Sequence, residues 1–416
     1  MNRSSQVLLI KCVTFILIVG IGVWLRFYFI DWNKEDFFQQ MQVRLAGDEV
    51  GYDLAARQLI EKGIYGYAPY AYSTEPNAFT TPGYPLFLAA CYLIFGYGVE
   101  PPIKEIQLTQ LVMDAVTGIF LYLISLKLLR SFPISCILLI LYYLHPSFIL
   151  APSYLLTETL YGAFFLLFVL LLVRYLDNDL PTKLQSLTLG LIFGVVVLIR
   201  PAIVPFLGLF LTCLIVFFVK KRVVLQSGLL ILTGFITIML PWWIRNLFIL
   251  HKWVWLAEQA GNPLLWGTFP YNENPPIDVS NDPAVMKRMA MERIKEGFQN
   301  EPLLYMKWYT VGKIWILLKD IYSGFLGIHN LILIRLHRII VIMGLLSWLL
   351  SLFVEWKNDR RIVWVGILIG ISILVYLPFA PTSRYFYPVV PLSLLGVGWL
   401  IRRCSFSIIR LKKHNT

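Results

Sequence analysis

Residues 184–219 read LQSLTLGLIFGVVVLIRPAIVPFLGLFLTCLIVFFV, two apolar runs that are separated only by Arg200 and Pro201. Each run approaches the length that an α-helix needs to cross the hydrocarbon core of a bilayer. Proline restricts itself and the residue before it, so the Arg200-Pro201 pair predicts a turn between the runs. The stretch therefore predicts two membrane helices joined by a turn that carries an arginine.

The composition extends this interpretation to the whole chain of 416 residues. Hydrophobic residues make up 58%, charged residues only 14%, and the mean hydropathy is +0.70. A soluble globular protein carries about 25% charged residues. The composition therefore excludes soluble enzymes, disordered chains and β-barrels. The five cysteines stand far apart, without the spacing of a disulfide framework or a zinc site.

The sequence predicts an all-α polytopic membrane protein with about ten spans, counted as runs of roughly 20 apolar residues. The predicted spans are 7–30, 106–128, 133–151, 156–176, 184–199, 202–219, 223–243, 337–353, 362–379 and 385–401. The first run is longer than that of a signal peptide and is not followed by a small-residue cleavage site. We therefore expect the first span to stay as an anchor.

The net charge of +12 has a topological explanation. The positive excess falls in short connections and in the C-terminal tail 402–416, which the positive-inside rule assigns to the cytoplasm. Both termini are then cytoplasmic, and the charge does not require a nucleic-acid partner. Residues 1–401 form a single transmembrane domain. Its two long outer loops, 31–105 and 246–335, are expected to cap an active site.

The first outer loop contains two predicted juxtamembrane helices. One covers residues 49–62 and ends at Gly63, and the other lies in the apolar but short stretch 81–98. We interpret 81–98 as a helix at the membrane surface. If it crossed the membrane, every later segment would invert and the positive charges would lie outside.

Ionisable residues near the membrane gather on the predicted outer side, where each invites a functional hypothesis. They are Asp48, Glu49, Glu158, Arg200, Arg245 and Arg384. Carboxylates beside arginines are the groups needed to bind a phosphate-bearing lipid and to activate a nucleophile next to it. The pattern predicts this chemistry on the condition that the side chains converge.

Each of these residues also has a structural interpretation. Asp48 could cap the helix that follows it, and Glu158 could interact with a helix dipole. An arginine that flanks a span often extends to the interface without binding phosphate. Their common outer position favours function, because short outer connections usually lack arginine. Asp114, inside the second span, could be a buried polar contact or part of the site.

Six fragments lie in order along the chain and on the predicted outer face. They are Gly47-Asp48-Glu49-x-x-Tyr52, Thr81-Pro82-Gly83-Tyr84-Pro85, Leu156-Thr157-Glu158-Thr159-Leu160-Tyr161, Arg200-Pro201, Pro241-Trp242-x-x-Arg245-Asn246 and Ser383-Arg384-Tyr385-x-x-Pro388-x-x-Pro391. With them the chain resembles the GT-C membrane glycosyltransferases almost from end to end. The resemblance is to the protein O-mannosyltransferase-like branch, which includes aminoarabinose transferases acting on lipid A and galacturonosyltransferases acting on lipopolysaccharide.

The resemblance implies transfer of a sugar from a polyprenyl-phosphate carrier to an acceptor hydroxyl or phosphate outside the membrane, with inversion at the anomeric carbon. Asp48 would be the catalytic base, and Glu49 would position the acceptor or orient Asp48. The donor phosphate would be bound by Arg200, Arg245 and Arg384. The expected substrate contacts are Tyr52, Tyr84, Glu158 and Tyr385, with Glu158 either contacting a sugar or holding an arginine.

The resemblance also bears on cofactors, partners and location. Related oligosaccharyltransferases act on diphosphate carriers and use a divalent metal, whereas monophosphate users in this branch generally do not. We therefore expect no cofactor and no metal. The implied partners are a polyprenyl-phosphate sugar, a glycan, lipid or protein acceptor, and membrane lipids. The implied location is the plasma (inner) membrane, with the active site extracytoplasmic.

Two other functions share some of these residues. A transporter or flippase of polyprenyl-linked lipids would also use arginines, but it would place charges near the bilayer midplane and often contains repeats or broken helices. A polysaccharide polymerase or ligase would share the arginines without needing the Asp48-Glu49 motif. The position of the charges at the outer helix ends favours the glycosyltransferase.

Overall fold

The chain is helical throughout the part that the structure describes. This computed structural model describes residues 3–32, 48–68, 73, 75–96, 98, 101–178, 180–218, 222–258, 261–272, 283–323 and 329–414, and no strand occurs in these ranges. Gly47 of the first fragment lies outside them.

The α-helices of the described residues include long apolar helices and short ones between them. In the first half of the chain they are α1 (Arg3–Trp32), α2 (Asp48–Lys62), α3 (Gly83–Phe95), α4 (Ile103–Leu129), α5 (Phe132–Leu144), α6 (Pro146–Leu150), α7 (Thr157–Asp177), α8 (Lys183–Ile199) and α9 (Val204–Phe218). In the second half they are α10 (Arg222–Leu250), α11 (Gly261–Trp266), α12 (Pro283–Asn300), α13 (Pro302–Lys307), α14 (Lys313–Lys319), α15 (Leu331–Glu355), α16 (Arg360–Leu374), α17 (Ser383–Phe386) and α18 (Val390–His414).

In the described part of the chain, six helices are long and apolar enough to cross a membrane, and a bent pair raises this number to seven. The bent pair is Phe132–Leu144 and Pro146–Ser153, which meet at 58° where Pro146 interrupts the helix. The expected count of ten spans is not confirmed. Part of the difference lies in α8 and α16, whose 17 and 15 residues rise about 23–26 Å, less than the core of a typical bilayer.

The first outer loop folds onto the end of α8. Helix α2 begins one residue before the predicted start and ends at Lys62 as predicted, and Gly63 after it takes the positive φ of 66° that glycine adopts without strain. Its neighbour α3 begins at Gly83, where a Cβ atom would meet the carbonyl oxygen of Leu198 at 2.5 Å. This close approach places α3 against the turn that carries Arg200.

Helices α8 and α10 cross with their backbones in contact. A Cβ atom at Gly190 would meet the carbonyl oxygen of Ile231 at 2.0 Å, and one at Gly234 would meet that of Leu187 at 2.4 Å. Small residues at such crossings let membrane helices approach closely and gain packing energy. The two glycines therefore determine how far α8 lies from its neighbour.

An ion pair attaches α1 to the bundle. Arg26 Nε donates to Asp114 Oδ2 at 2.5 Å, and the hydroxyl of Tyr142 donates to Asp114 Oδ1 at 2.7 Å. Both charged side chains are fully buried. Removing one member would leave an uncompensated buried charge, which is strongly destabilising. Asp114 is therefore a buried polar contact, the first of the two interpretations given above.

The second outer loop is joined to the segment before Arg384 by a buried lysine. Lys313 Nζ donates to the carbonyl oxygens of Leu377 and Pro378 at 2.7 and 3.2 Å and lies 3.8 Å from the ring centre of Tyr309. Burial disfavours its charged form and lowers the pKa of Lys313 to about 7. This lysine therefore titrates near neutral pH while it connects two parts of the outer face.

We expect this titration to appear in the pH dependence of stability. In the unfolded chain Lys313 keeps its proton up to about pH 10.4, whereas in the folded chain it loses the proton near pH 7. Stability should therefore rise between these values, by at most about 1.4 kcal/mol per pH unit. Thermal unfolding at pH 7, 8 and 9 should show this rise in the wild type and in the exposed-lysine control Lys307→Met, but not in Lys313→Met. Parallel pH curves for all three proteins would contradict it.

Candidate functional site

Four charged side chains from different helices form a row at one end of the bundle. Asp48 is the first residue of α2, Glu158 is the second residue of α7, and Arg200 immediately follows α8. Arg384 is the second residue of α17, where Thr382 caps the helix by accepting a hydrogen bond from the Arg384 backbone N–H at 3.1 Å. We call Asp48, Arg384, Glu158 and Arg200 the acid–arginine row.

The row is continuous because the arginines and carboxylates alternate. Arg384 Nη1 donates to Asp48 Oδ2, and Arg384 Nε donates to Glu158 Oε1. The same Glu158 oxygen accepts from Arg200 Nη2, and Arg200 Nε donates to the hydroxyl of Thr157 at 2.7 Å. Two negative and two positive charges therefore compensate one another, and each arginine is oriented by two hydrogen bonds.

Exposure is highest at the Asp48 end of the row and low at the Glu158 and Arg200 end. The side chain of Asp48 is 39% exposed and that of Arg384 is 22% exposed, whereas Glu158 is 1% exposed. At the buried end, Glu158 Oε2 and Arg200 Nη1 have no hydrogen-bond partner among the described residues, and neither has the hydroxyl of nearby Tyr322. A polar ligand that entered beside Asp48 could satisfy such groups.

Tyrosines surround the exposed end of the row. The hydroxyl of Tyr67 donates to Asp48 Oδ1 at 3.2 Å, and the ring of Tyr52 packs against those of Tyr67 and Tyr84. Burial, and next to it the negative charge of Asp48, raises the pKa of both Tyr52 and Tyr67. The two phenols therefore stay protonated, so Tyr67 acts as a hydrogen-bond donor to the carboxylate.

Glu49 and Tyr84 lie next to the row but point elsewhere. Glu49 is buried, and its Oε1 accepts a hydrogen bond from the backbone N–H of Leu155 at 3.0 Å, which joins α2 to the start of α7. The hydroxyl of Tyr84 donates to Gln110 Oε1 at 2.9 Å, and the side chain is 1% exposed. The structure thus packs the phenol of Tyr84 against Gln110, away from the row, and the sugar contact expected for Tyr84 stays a prediction.

Tyr385, the remaining expected substrate contact, lies beside Arg384. Its ring stacks on that of Tyr376 with centroids 4.5 Å apart, and it is partly exposed. Tyr376 interacts electrostatically with Arg200 and Glu158. The stacked pair therefore forms an aromatic side of the acid–arginine row.

The structure does not bring Arg245 into the row beside Arg384, where the sequence resemblance implies that it binds phosphate. Its guanidinium donates to the backbone carbonyls of Asn77 at 2.9 Å and of Tyr65 at 2.5 Å, and it lies 5.4 Å from the ring centre of Trp242. Both terminal nitrogens of the guanidinium thus donate to the backbone of the first outer loop. Arg245 holds the loop that carries Tyr67.

This setting predicts that Arg245→Gln lowers stability without weakening the binding of a phosphate ligand. Loss of the charged hydrogen bonds should cost about 1.5–3 kcal/mol, measurable as a lower unfolding temperature. The affinity for polyprenyl phosphate, measured below that temperature, should remain within about twofold of wild type. Arg335→Gln, which removes an exposed arginine, should change neither quantity. A large loss of affinity in the folded Arg245 variant would restore its phosphate-binding role.

The donor set of the row does not fit a divalent cation. Arg384 lies between the two carboxylates, and Arg200 contacts the second of them. A divalent cation requires several oxygen ligands, and the fixed guanidinium charges would repel it. Among the residues that the structure describes, no group of three or more His, Cys, Asp or Glu side chains could hold a metal ion.

Solved structures are similar to this chain in fold. The apo oligosaccharyltransferase of Archaeoglobus fulgidus is matched with a TM-score of 0.54 and 13% identity over 97% of this chain and 51% of that one. The archaeal oligosaccharyltransferase AglB from Archaeoglobus fulgidus, in complex with an inhibitory peptide and a dolichol-phosphate, is matched with a TM-score of 0.53 and 14% identity over 96% and 51%. No family model and no curated protein matches the sequence.

These similarities concern the fold. The chain shares the fold of these archaeal oligosaccharyltransferases. It spans about half the length of the structures it matches. Membership in the GT-C superfamily and in its O-mannosyltransferase-like branch stays a prediction.

Proposed function

We propose that this protein is an inverting glycosyltransferase that moves a sugar from a polyprenyl-phosphate carrier to an acceptor hydroxyl or phosphate. The observation that carries the proposal is the acid–arginine row, in which a partly exposed carboxylate lies beside an arginine that also contacts a buried carboxylate. The fold shared with archaeal oligosaccharyltransferases supports it, because one of them was solved in complex with a dolichol-phosphate. Our proposal adds the carrier type and the residue roles.

The chemistry follows from the order of groups in the row. Asp48 accepts the proton of the acceptor while the acceptor oxygen bonds to the anomeric carbon. The bond between that carbon and the phosphate oxygen of the carrier breaks on the opposite side, so the configuration inverts. Negative charge then develops on the departing lipid phosphate.

Arginine is suited to stabilise this leaving group. Within the described part of the chain, Arg384 Nη2 and Arg200 Nη1 donate no hydrogen bond to the protein. Both guanidiniums are held by Glu158, so little reorganisation is needed when the phosphate charge appears. Glu158 therefore positions the two arginines, and Tyr67 holds the carboxylate of Asp48.

The proposed location is the plasma (inner) membrane, with the row on the extracytoplasmic face and both termini cytoplasmic. The distribution of positive charge supports this orientation. In a chain without Cys12 and Cys404, a cysteine placed at Glu75 should react with an impermeant thiol reagent added to intact cells. A cysteine at Lys357 should react only after permeabilisation. The opposite labelling pattern would invert the topology.

The function is tested with purified protein in native lipids. It is incubated with a panel of polyprenyl-phosphate sugars and candidate acceptors, and the release of polyprenyl phosphate is measured together with the glycosylated acceptor. A glycosyltransferase should release the carrier from one class of donor and should require an acceptor. If no donor is cleaved and the lipids cross liposome membranes instead, the proposal is wrong and a transporter is favoured.

A further inference from the structure

A second charged site lies at the opposite end of the same helices. Helix α7 begins beside Glu158 and ends at Asp177, and the last span continues from Arg384 to Arg402. Eighteen to nineteen residues of helix rise about 28 Å, close to the thickness of the hydrocarbon core. A cavity of about 810 Å³ opens where these helices end. We call it the basic cleft.

Basic side chains outnumber acidic ones in the lining of the basic cleft. The basic ones are Arg130, Lys357, Arg360, Arg361, Arg402 and Arg403. The acidic ones are Asp177, Glu355 and Asp359. Three positive charges therefore remain uncompensated in one concave site, where low-dielectric walls increase the attraction for an anion.

The ion pairs inside the cleft are formed by only part of the basic set. Arg361 pairs with Asp177 and Asp359 at 2.5 and 2.6 Å, and Arg403 pairs with Glu355 at 2.7 Å. These pairs use all three acidic residues of the lining.

Arg360 and Arg402 donate to the backbone carbonyls of Leu176 and Leu128 at 2.7 and 3.0 Å, so two of the six basic residues are left to face a ligand. Arg130 and Lys357 are exposed, and neither forms an ion pair with any residue that the structure describes. They stand on different segments, after α4 and after α15. A single anion in the cleft can therefore be approached from two sides.

The border of the cleft is apolar and faces the bilayer. Trp356, which lines the cleft, is 65% exposed, and Phe353, one helical turn earlier, is 83% exposed. Aromatic residues at this level are typical of the membrane interface. A ligand that fits both features carries an anionic group for the cleft and hydrocarbon chains for the aromatic border. A free inorganic anion would contact the basic residues but not the aromatic border.

We propose that the basic cleft binds the phosphate head group of an acidic glycerophospholipid from the leaflet opposite the acid–arginine row. The head-group phosphate lies between Arg130 and Lys357, and the acyl chains pass along Trp356 and Phe353. This site is separate from the proposed transfer reaction, so it remains testable if that function fails. Basic pockets between membrane helices are known to select anionic head groups on physical grounds.

The test counts bound lipids on the purified protein. Native mass spectrometry is performed with dioleoylphosphatidylglycerol or dioleoylphosphatidylcholine added to the detergent solution. The double variant Arg130→Gln, Lys357→Gln removes the two exposed charges of the cleft. The control Arg174→Gln, Lys183→Gln removes two exposed charges at the same membrane face but outside the cleft.

The wild type and the control should bind phosphatidylglycerol about tenfold more tightly than phosphatidylcholine. The cleft variant should lose about tenfold in affinity for phosphatidylglycerol only. Inorganic phosphate at the same concentration should not displace the bound lipid. Equal losses in both double variants, equal binding of the two lipids, or displacement by inorganic phosphate would each overturn the proposal. A folded state is verified by an unchanged unfolding temperature in choline lipid.

Discussion

Asp48→Asn should reduce the rate of sugar transfer by about 10²–10⁴-fold, because asparagine cannot accept the proton of the acceptor. The substitution keeps the shape of the side chain and the hydrogen bond from Tyr67. Binding of the carrier lipid should therefore persist, and the loss should appear in kcat. The measurement is the initial rate of polyprenyl phosphate release at saturating donor, compared between wild type and variant.

The matched control for Asp48 is Glu61→Gln, which neutralises an exposed acid on the same helix. It should retain the wild-type rate. If Asp48→Asn releases the carrier as fast as wild type, the base is another group and the assignment of Asp48 is wrong. If both variants lose activity equally, the effect comes from the helix and not from the carboxylate.

Arg384→Gln should lower kcat by about 10²–10³-fold and should also weaken the binding of polyprenyl phosphate. Arg384 is the residue through which Asp48 and Glu158 are connected, and it is the arginine nearest the exposed end of the row. Arg384→Lys keeps the charge but loses the forked donor set, so it should recover only part of the activity. Activity is measured by carrier release, and affinity by displacement of a labelled polyprenyl phosphate.

The comparison with Arg245→Gln separates phosphate binding from general damage to the outer face. Both substitutions remove a guanidinium near the first outer loop, but only Arg384 belongs to the acid–arginine row. We expect the affinity for polyprenyl phosphate to fall for Arg384→Gln alone. Unchanged affinity in a folded Arg384→Gln variant would remove Arg384 from the proposed leaving-group site.

Much of the outer face could be predicted because charge near a membrane is costly and therefore informative. Asp48, Glu158, Arg200 and Arg384 each lie at the same end of an apolar segment, and the structure brings them into one row. Their catalytic and binding roles remain predictions. The helix over 49–62 and its end at Gly63 were equally visible in the sequence, since glycine follows an amphipathic segment there.

The rest of the site depends on how the outer loops fold. Arg245 lies at the same end of a span as Arg384, but the backbone of the first outer loop surrounds it, and no spacing in the sequence indicates this. Tyr67 and Tyr322 could not be distinguished from the many aromatic residues of a membrane interface. Arg26, which pairs with Asp114, lies inside an apolar run whose length alone identified it as a span.

The close crossing of α8 and α10 makes activity sensitive to substitutions far from the acid–arginine row. Gly190 lies ten residues before Arg200, about 15 Å along the helix, and a single methyl group there would force the two helices apart. Arg200 would move with α8, and a shift of about 1 Å can reduce a reaction rate a hundredfold. A substitution at this crossing would thus reduce activity as the loss of a reacting group does, although every such group is intact. Deleterious substitutions are therefore expected at residues that align the helices as well as at residues of the acid–arginine row.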